Sequence, residues 1–360
     1  MFQIIRDDTS GVVKTSGKLI LTRMRSNASA VDTSDVTTLV RHDVIAQPLN
    51  ASSVRSPPVR DTRPTSSLTT DIVNSAQRQP KHCRRHDFSL PLDVSDNVEF
   101  ECVKTRAISD LKICIYPTKK DLWVSGGIRK QGGWELPYSK AFMSALKYFP
   151  SATFLDIGAN IGMHSLVVAK SGRKVVAVEP QTSNILRLHK SVNVNKLEPL
   201  YTLIENGVSN MRQNVTLYGD GHNQGGSSVV FQYKNAALKE NIKTILFDDL
   251  LEVFDDKEAV IKMDIEGSEC RALVNSSKFF EAVNVRAIFM EWQGILGLLK
   301  GGKRPEEVAI VESVLDTLEA RGFTPAKIQP SFETSLKPVS RLRREDKISW
   351  PHDVAWVKLP

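Results

Sequence analysis

The first 95 residues of this 360-residue chain contain no glutamate, tryptophan or tyrosine, and Phe2 and Phe88 are their only phenylalanines. Serine and threonine fill 23 of those positions. Such a segment buries too little apolar surface to offset roughly 1–2 kcal/mol of backbone entropy per residue. A disordered tail is therefore expected over 1–95, with 55–58 (Arg-Ser-Pro-Pro) as flexible linker. Cysteine is also scarce. Four widely spaced cysteines exclude a dense disulfide scaffold and show no metal-type pairing. No uncharged apolar run approaches the ~20 residues of a membrane span, so no span is expected.

The first thirty residues lack the uninterrupted apolar core of a signal peptide, because Lys14 and Lys18 break up the short apolar runs. Arg6, Lys14, Lys18, Arg23 and Arg25 suit a mitochondrial presequence, but Asp7 and Asp8 count against one. No targeting signal is read in the sequence as it stands. The net charge is +7, and residues 1–95 hold 13 basic against 9 acidic residues. More than half of the excess thus sits in the tail and says little about a nucleic-acid partner.

Globular patterning begins after residue 95. Residues 98–106 and 110–116 read as a hairpin, with Cys102 and Cys114 equidistant from its turn. Two half-buried thiols and a disulfide both fit, and the second needs an oxidising compartment. From residue 150, short apolar runs alternate with amphipathic stretches. Strands are expected at 154–157, 174–179, 201–204, 259–264 and 285–291, and helices at 161–171, 183–195 and 305–321. Ile185, Leu188 and Val192 show the helical spacing. Strands separated by helices imply right-handed crossovers and a parallel sheet. Residues 323–328 and 353–358 are expected to close it as an antiparallel pair.

The strongest local signal is Asp156-Ile157-Gly158-Ala159-Asn160-Ile161-Gly162, between a buried strand and a helix. That is where doubly wound folds bind ligands. Glycine lets the backbone turn tightly and a ligand approach closely. Glu179 ends the next strand, 21 residues after Gly158, and is placed to accept ribose hydroxyls. A dinucleotide loop would carry glycine where Asp156 stands. A carboxylate there repels pyrophosphate but suits a cationic amino-acid moiety, which favours S-adenosylmethionine over a nicotinamide dinucleotide.

Four segments in order, 154–162, 177–180 (Ala-Val-Glu-Pro), 206–210 (Asn-Gly-Val-Ser-Asn) and 261–267 (Ile-Lys-Met-Asp-Ile-Glu-Gly), resemble the FkbM family of S-adenosylmethionine-dependent methyltransferases. The resemblance runs over roughly 135–360 and includes 225–228, 247–250 and 353–357. Gly132-Gly133-Trp134-Glu135 is similar to a segment of the family's metazoan methyltransferase-like branch. The resemblance implies an α/β, Rossmann-like class I methyltransferase fold with a seven-stranded, mostly parallel sheet and one antiparallel strand. It also implies O-methylation of a hydroxyl. The expected organisation is a tail (1–95), a hairpin with a lead-in segment (96–134) and the methyltransferase domain (135–360).

Carried over by position, the resemblance implies that Asp156, Gly158, Asn160 and Gly162 line the methionine and ribose side of S-adenosyl-L-methionine. Glu179 is to bind the ribose hydroxyls, with Pro180 and Gln181 beside the adenine. Asn206 and Gly207 are to contact the adenine, and Asp264 is to stand next to the methyl group.

Methyl transfer to an aliphatic hydroxyl needs in-line alignment and proton removal during attack. Asp264, Glu266 and Glu291 stand at strand ends. Alternation would put Asp264 and Glu266 on one side, where paired carboxylates raise one pKa. Asp264 is read as positioning and Glu266 as base or substrate acceptor, against the alternative that Glu266 only caps the following helix (267–275). His222, in a polar glycine-rich loop, is a second candidate base. His164 is read as structural, and Lys262 as a residue that could orient a carboxylate. Trp134 and Tyr138 either fold over the cofactor or pack on the sheet. The three carboxylates are oxygen donors of the kind magnesium prefers. The resemblance does not call for a metal, and none is expected.

Two rivals stand beside this reading, and the first is a nucleic-acid or protein methyltransferase. Nitrogen methylation of bases commonly uses a proline-rich, aromatic motif where this chain has Asp264-Ile265-Glu266-Gly267. The basic run 341–344 is followed at once by Glu345 and Asp346, as in a solvated loop, so no nucleic-acid partner is expected. A non-catalytic cofactor-binding protein is the other rival, and the intact loop argues against it. The expected partner is a hydroxylated small molecule or glycan. Residues 27, 50, 214 and 275 each begin an Asn-x-Ser/Thr triplet, a pattern frequent in Ser/Thr-rich sequence. Oligomeric state is not legible.

Overall fold

The computed structural model describes residues 80–92, 100–219, 227, 238–301 and 304–358. Strand β1 (Glu101–Lys104) pairs antiparallel with β2 (Lys112–Ile115), and Cys102 faces Cys114 across the pair in a disulfide. Then follow helices α1 (Val124–Gln131) and α2 (Leu136–Tyr148). Neither was anticipated. In α2, Pro137 lies in the first turn, where its missing N–H leaves no helical bond unmade, and Ala141, Phe142, Ala145 and Leu146 form the buried face.

The alternating region yields β3 (Thr153–Ile157), α3 (Met163–Lys170), β4 (Val175–Val178), α4 (Thr182–Asn195) and β5 (Tyr201–Ile204). Three further strands, β6 (Gly207–Val208), β7 (Asn214–Gly219) and β8 (Leu238–Ile245), make a separate small sheet in the order β6-β8-β7. Beyond it come β9 (Glu258–Met263), α5 (Glu269–Leu273), α6 (Ser277–Ala282), β10 (Asn284–Glu291) and α7 (Gln293–Gly301). The last elements are α8 (Pro305–Ala320), β11 (Phe323–Lys327), α9 (Phe332–Ser335) and β12 (Asp353–Lys358).

The main sheet has seven strands in the order β11-β12-β10-β9-β3-β4-β5. β12 runs antiparallel to both of its neighbours, and the β3, β4, β5, β9 and β10 pairings are parallel. This is the expected Rossmann-like α/β sheet. The closing pair was read correctly as antiparallel, with β12 inserted between β10 and β11. β3 is buried along its whole length, as a central parallel strand must be. One apolar layer, including Phe142, Leu166, Leu188 and Phe289, packs on one face. A second, including Phe247, Phe279, Trp292 and Leu315, packs on the other. The strand order reverses between β3 and β9, which opens a crevice beyond their carboxyl ends.

The expected tail boundary at residue 95 is too late. Residues 80–92 are packed on the domain. His86 N–H donates to Leu203 O and Glu205 N–H to Arg84 O, both at 2.8 Å, and Arg85 bridges Ile204. Cys83 is buried. His86 joins Glu205 and His189 through its two ring nitrogens, at 2.5 and 2.7 Å. Composition missed this because the segment is held by backbone bonds and polar side chains, with little apolar burial. Residues 1–79 lie outside the described residues. Among the described residues no helix is long and apolar enough to cross a membrane.

Candidate active site

The turn after β3 is forced by its neighbours. Gly158 has φ +82°, and a Cβ there would lie 2.0 Å from Asp264 O. Only glycine lets the β3 turn pass this close to the end of β9. The Gly158 and Ala159 N–H groups both donate to Val178 O, at 2.9 and 3.0 Å. Asn160 is left-handed at φ +54°, and its Oδ1 accepts from the Ile161 N–H at 2.7 Å. Helix α3 begins at Met163, two residues later than the sequence pattern suggested.

These turns border a cavity of about 530 Å³. Gly158, Asn160, Glu179, Pro180, Gln181 and Asn206 line it, together with Gly207. Asp156 and Gly162 are not among its lining residues. Asp156 is fully buried beneath the loop, 3.3 Å from Lys262 Nζ. Asp156, expected to line the methionine and ribose side, thus sits one layer below the cavity, against Lys262, which does line it. At Gly162 a Cβ would meet Leu188 at 2.3 Å, so this glycine serves helix packing.

Glu179 is 5% exposed and held from three sides. Its Oε2 accepts from the Asn160 N–H at 2.7 Å, and its Oε1 from the Gln181 N–H at 2.9 Å and Asn184 Nδ2 at 3.2 Å. Burial lifts its carboxyl to about 7, against the pull of those donors. A carboxylate offers about four acceptor positions, so about one remains for a ligand hydroxyl. Asn206 lines the cavity, with one acceptor and one donor position of its amide engaged by the scaffold. Its Oδ1 accepts from the Arg84 N–H at 2.8 Å, and its Nδ2 donates to Lys243 O at 3.1 Å.

The cavity also has an acidic set of lining residues. Asp264, Glu266, Glu291 and Asp353 line it, with His352 and, from the lead-in segment, Glu135. One carboxylate oxygen from each of Asp264, Glu266 and Glu291 lies within 4.8 Å of the other two. That donor set is the oxygen type a hard divalent cation takes. Burial and the charges of Asp264, Glu269, Glu266 and Asp353 push Glu291 up to about 11. Burial also lifts Asp353 to about 7, opposed by the hydrogen bond that Tyr138 donates at 2.8 Å and reinforced by Asp264.

Lys262 is the cation beneath this group. Its Nζ donates to Gly158 O at 2.7 Å and lies 3.3 Å from Asp156 and 3.4 Å from Asp264. Burial works against its charge, but the two aspartates hold it protonated above the ordinary lysine range.

Glu266 sits at φ +54° in the turn that precedes the next helix. That turn is closed by Glu269, whose Oε1 accepts from the Ile265 and Gly267 N–H groups at 2.8 and 3.3 Å. The helix is accordingly α5, shorter than the expected 267–275. His222 lies outside the described residues. His164 lines the cavity while bonded to Ser139 Oγ at 2.9 Å and packed edge-on against Phe142. Trp123, more than half exposed, and Trp134 stand at the cavity wall. Of the lead-in pair, Trp134 thus faces the cavity, while Tyr138 bonds Asp353.

Asp353 and His352 were missed as site residues. Asp353 opens the antiparallel strand β12 and His352 precedes it, far along the chain and with no local motif. In the basic run, Arg343 pairs with Glu345, and Arg344 with Glu312, Asp316 and Glu319. A second oxygen–nitrogen cluster, His82 with Asp249 and Glu252, is bound up in its own contacts, among them His82 Nδ1 to Glu252 at 2.6 Å and Arg212 to Asp249 at 2.6 Å.

Residues 156–325 match the family described as the Methyltransferase FkbM domain. No protein of curated function matches the chain. Three solved structures are similar at a distance. A protein from Staphylococcus aureus described as a caffeoyl-CoA O-methyltransferase is 11% identical, with a TM-score of 0.34 over 61% of this chain and 81% of that one. An rRNA methylase from Streptococcus thermophilus is 13% identical, with a TM-score of 0.32 over 62% and 97%. The tRNA (uracil-54, C5)-methyltransferase of Pyrococcus abyssi, solved with S-adenosyl-L-homocysteine, is 12% identical, with a TM-score of 0.29 over 54% and 34%.

Proposed function

We propose that this chain, an S-adenosylmethionine-dependent methyltransferase by the FkbM domain that it carries over residues 156–325, methylates a hydroxyl group of a small molecule or glycan. The observation that carries the reading is one cavity lined by two unlike sets of groups. A buried, donor-braced Glu179 lines it together with the clustered Asp264, Glu266 and Glu291 carboxyls.

The residues present fit the cofactor. The Gly158 turn borders the cavity, and Glu179 keeps acceptor capacity for a ribose hydroxyl. Pro180, Gln181, Asn206 and Gly207 would flank the adenine. When bound, the sulfonium supplies an electrophilic methyl group.

The protein's own part is alignment and proton removal. Three carboxyls this close do not all ionise, and burial together with the neighbouring charges puts the proton on Glu291. Neutral Glu291 donates a hydrogen bond to the acceptor oxygen. Glu266 takes the hydroxyl proton as attack proceeds, and Asp264, tied to Lys262, orients the acceptor. The Gly132-Gly133-Trp134-Glu135 segment, whose last two residues line the cavity, supports a place in the family's metazoan methyltransferase-like branch.

The test is a screen of hydroxylated acceptors with labelled cofactor, repeated with Glu266→Gln. The expected result is methyl transfer to oxygen that the substitution lowers by two orders of magnitude or more. Full turnover in the variant would remove Glu266 from the mechanism. A screen yielding only nitrogen-methylated product would sink the hydroxyl reading.

A further inference from the structure

Glu179 is not held by its own loop alone. Tyr116, the residue that follows β2, is 3% exposed and reaches the start of α4. Its Oη lies 2.8 Å from Ser183 Oγ and 2.7 Å from Asn184 Oδ1. An amide oxygen only accepts, so the phenol hydrogen goes to Asn184, and the Ser183 hydroxyl donates to the phenol in turn. Gln181 Nε2 donates to Ser183 Oγ at 2.8 Å. With its oxygen engaged, Asn184 presents Nδ2 to Glu179 Oε1 at 3.2 Å. The donors therefore run in one direction, from Gln181 through Ser183, Tyr116 and Asn184 to Glu179. The Arg187 guanidinium lies 3.4 Å from the centre of the Tyr116 ring and keeps the ring in place.

We propose that Tyr116 is a positioning residue for the cofactor, setting through Asn184 the direction in which Glu179 presents its carboxylate to the ribose. This rests on the ribose-binding reading of Glu179. Tyr116 does not itself line the cavity, whereas Gln181, Asn184 and Glu179 do. Its phenol hydrogen is what distinguishes the two ends of the Asn184 amide. Without it the amide turns over freely, and the turned form sets oxygen against oxygen at Glu179. Outer-shell bonds of this kind fix the orientation of a binding group and tune its affinity.

The experiment is calorimetry on the full chain with S-adenosylhomocysteine and with its 2′,3′-dideoxy analogue. Tyr116→Phe keeps the ring and its contact with Arg187 and removes only the hydroxyl. We expect it to bind S-adenosylhomocysteine about tenfold more weakly. The dideoxy analogue, with no ribose hydroxyl to offer, is expected to bind the variant and the natural protein alike. Asn184→Ala is expected to show the same selective loss, and the double variant no further loss. Equal weakening of both ligands would assign Tyr116 to general packing and overturn the proposal, as would unchanged binding of both. A natural protein that binds both ligands equally would instead remove the ribose role of Glu179, and the proposal with it.

Discussion

Lys262 Nζ donates to the main-chain oxygen of Gly158 at 2.7 Å, so the glycine turn after β3 is fastened to the strand that delivers Asp264. The same ammonium is the counter-charge of fully buried Asp156. Lys262→Met would leave that carboxylate buried without a partner, a change that costs about 3–5 kcal/mol. The expected outcome is a large fall in melting temperature together with loss of S-adenosylhomocysteine binding. A variant as stable as the natural protein would show that Asp156 does not depend on this lysine.

Glu179 should make cofactor binding sensitive to pH. Its folded pKa, about 7, lies above the ordinary value of 4.5. The folded state therefore holds this proton more tightly than the unfolded chain does. The group's contribution to stability is full below about 4.5 and is lost as pH rises through 7. Binding runs the other way, because a ribose hydroxyl donates to the ionised form. Affinity for S-adenosylhomocysteine should rise on the order of tenfold between pH 5.5 and 8.5. Calorimetry across that range tests this, and Glu179→Gln should give a weak, flat profile. A flat profile in the natural protein would contradict the assignment.

Two neighbouring glutamates should respond differently to the same change. Glu291 is pushed up to about 11 by burial and by Asp264, Glu269, Glu266 and Asp353, so it is neutral at pH 7. Glutamine copies a neutral glutamic acid, and Glu291→Gln should keep most of the turnover. Glu266→Gln should lose nearly all of it while still binding the cofactor. Equal losses in kcat from the two variants would mean that Glu291 carries the base.

The Cys102–Cys114 disulfide joins residues 12 apart in sequence. A loop of this size contributes up to about 3 kcal/mol. Replacing both cysteines with alanine should lower the melting temperature by several degrees. The natural protein should run differently on reducing and non-reducing gels, as expected of a chain folded in an oxidising compartment. Identical mobility with two alkylatable thiols at these positions would exclude the bond.

The sheet and the floor of the site were legible because strand, glycine turn and helix leave a local pattern. Gly158 and Glu179 stand 21 residues apart and meet across adjacent parallel strands. Asp156 was legible as a position in the motif, whereas its burial against Lys262 depends on the covering of both faces of β3, which the motif does not show. Asp353 escaped notice because its charge means nothing until β12 inserts beside β10. The same holds for Glu269, whose closure of the 265–267 turn depends on a backbone shape that residue types do not spell out.

The docked segment 80–92 has a consequence for association between molecules. β5 is the last strand of the main sheet, and the Arg84–His86 stretch lies along its open side through bonds to Leu203 and Glu205. That stretch occupies backbone groups that would otherwise be a template for another chain. A protein trimmed to begin at residue 96 would keep the cavity floor yet bare this margin. It should self-associate strand to strand, with sedimentation rising with concentration, whereas one that begins at residue 80 should not.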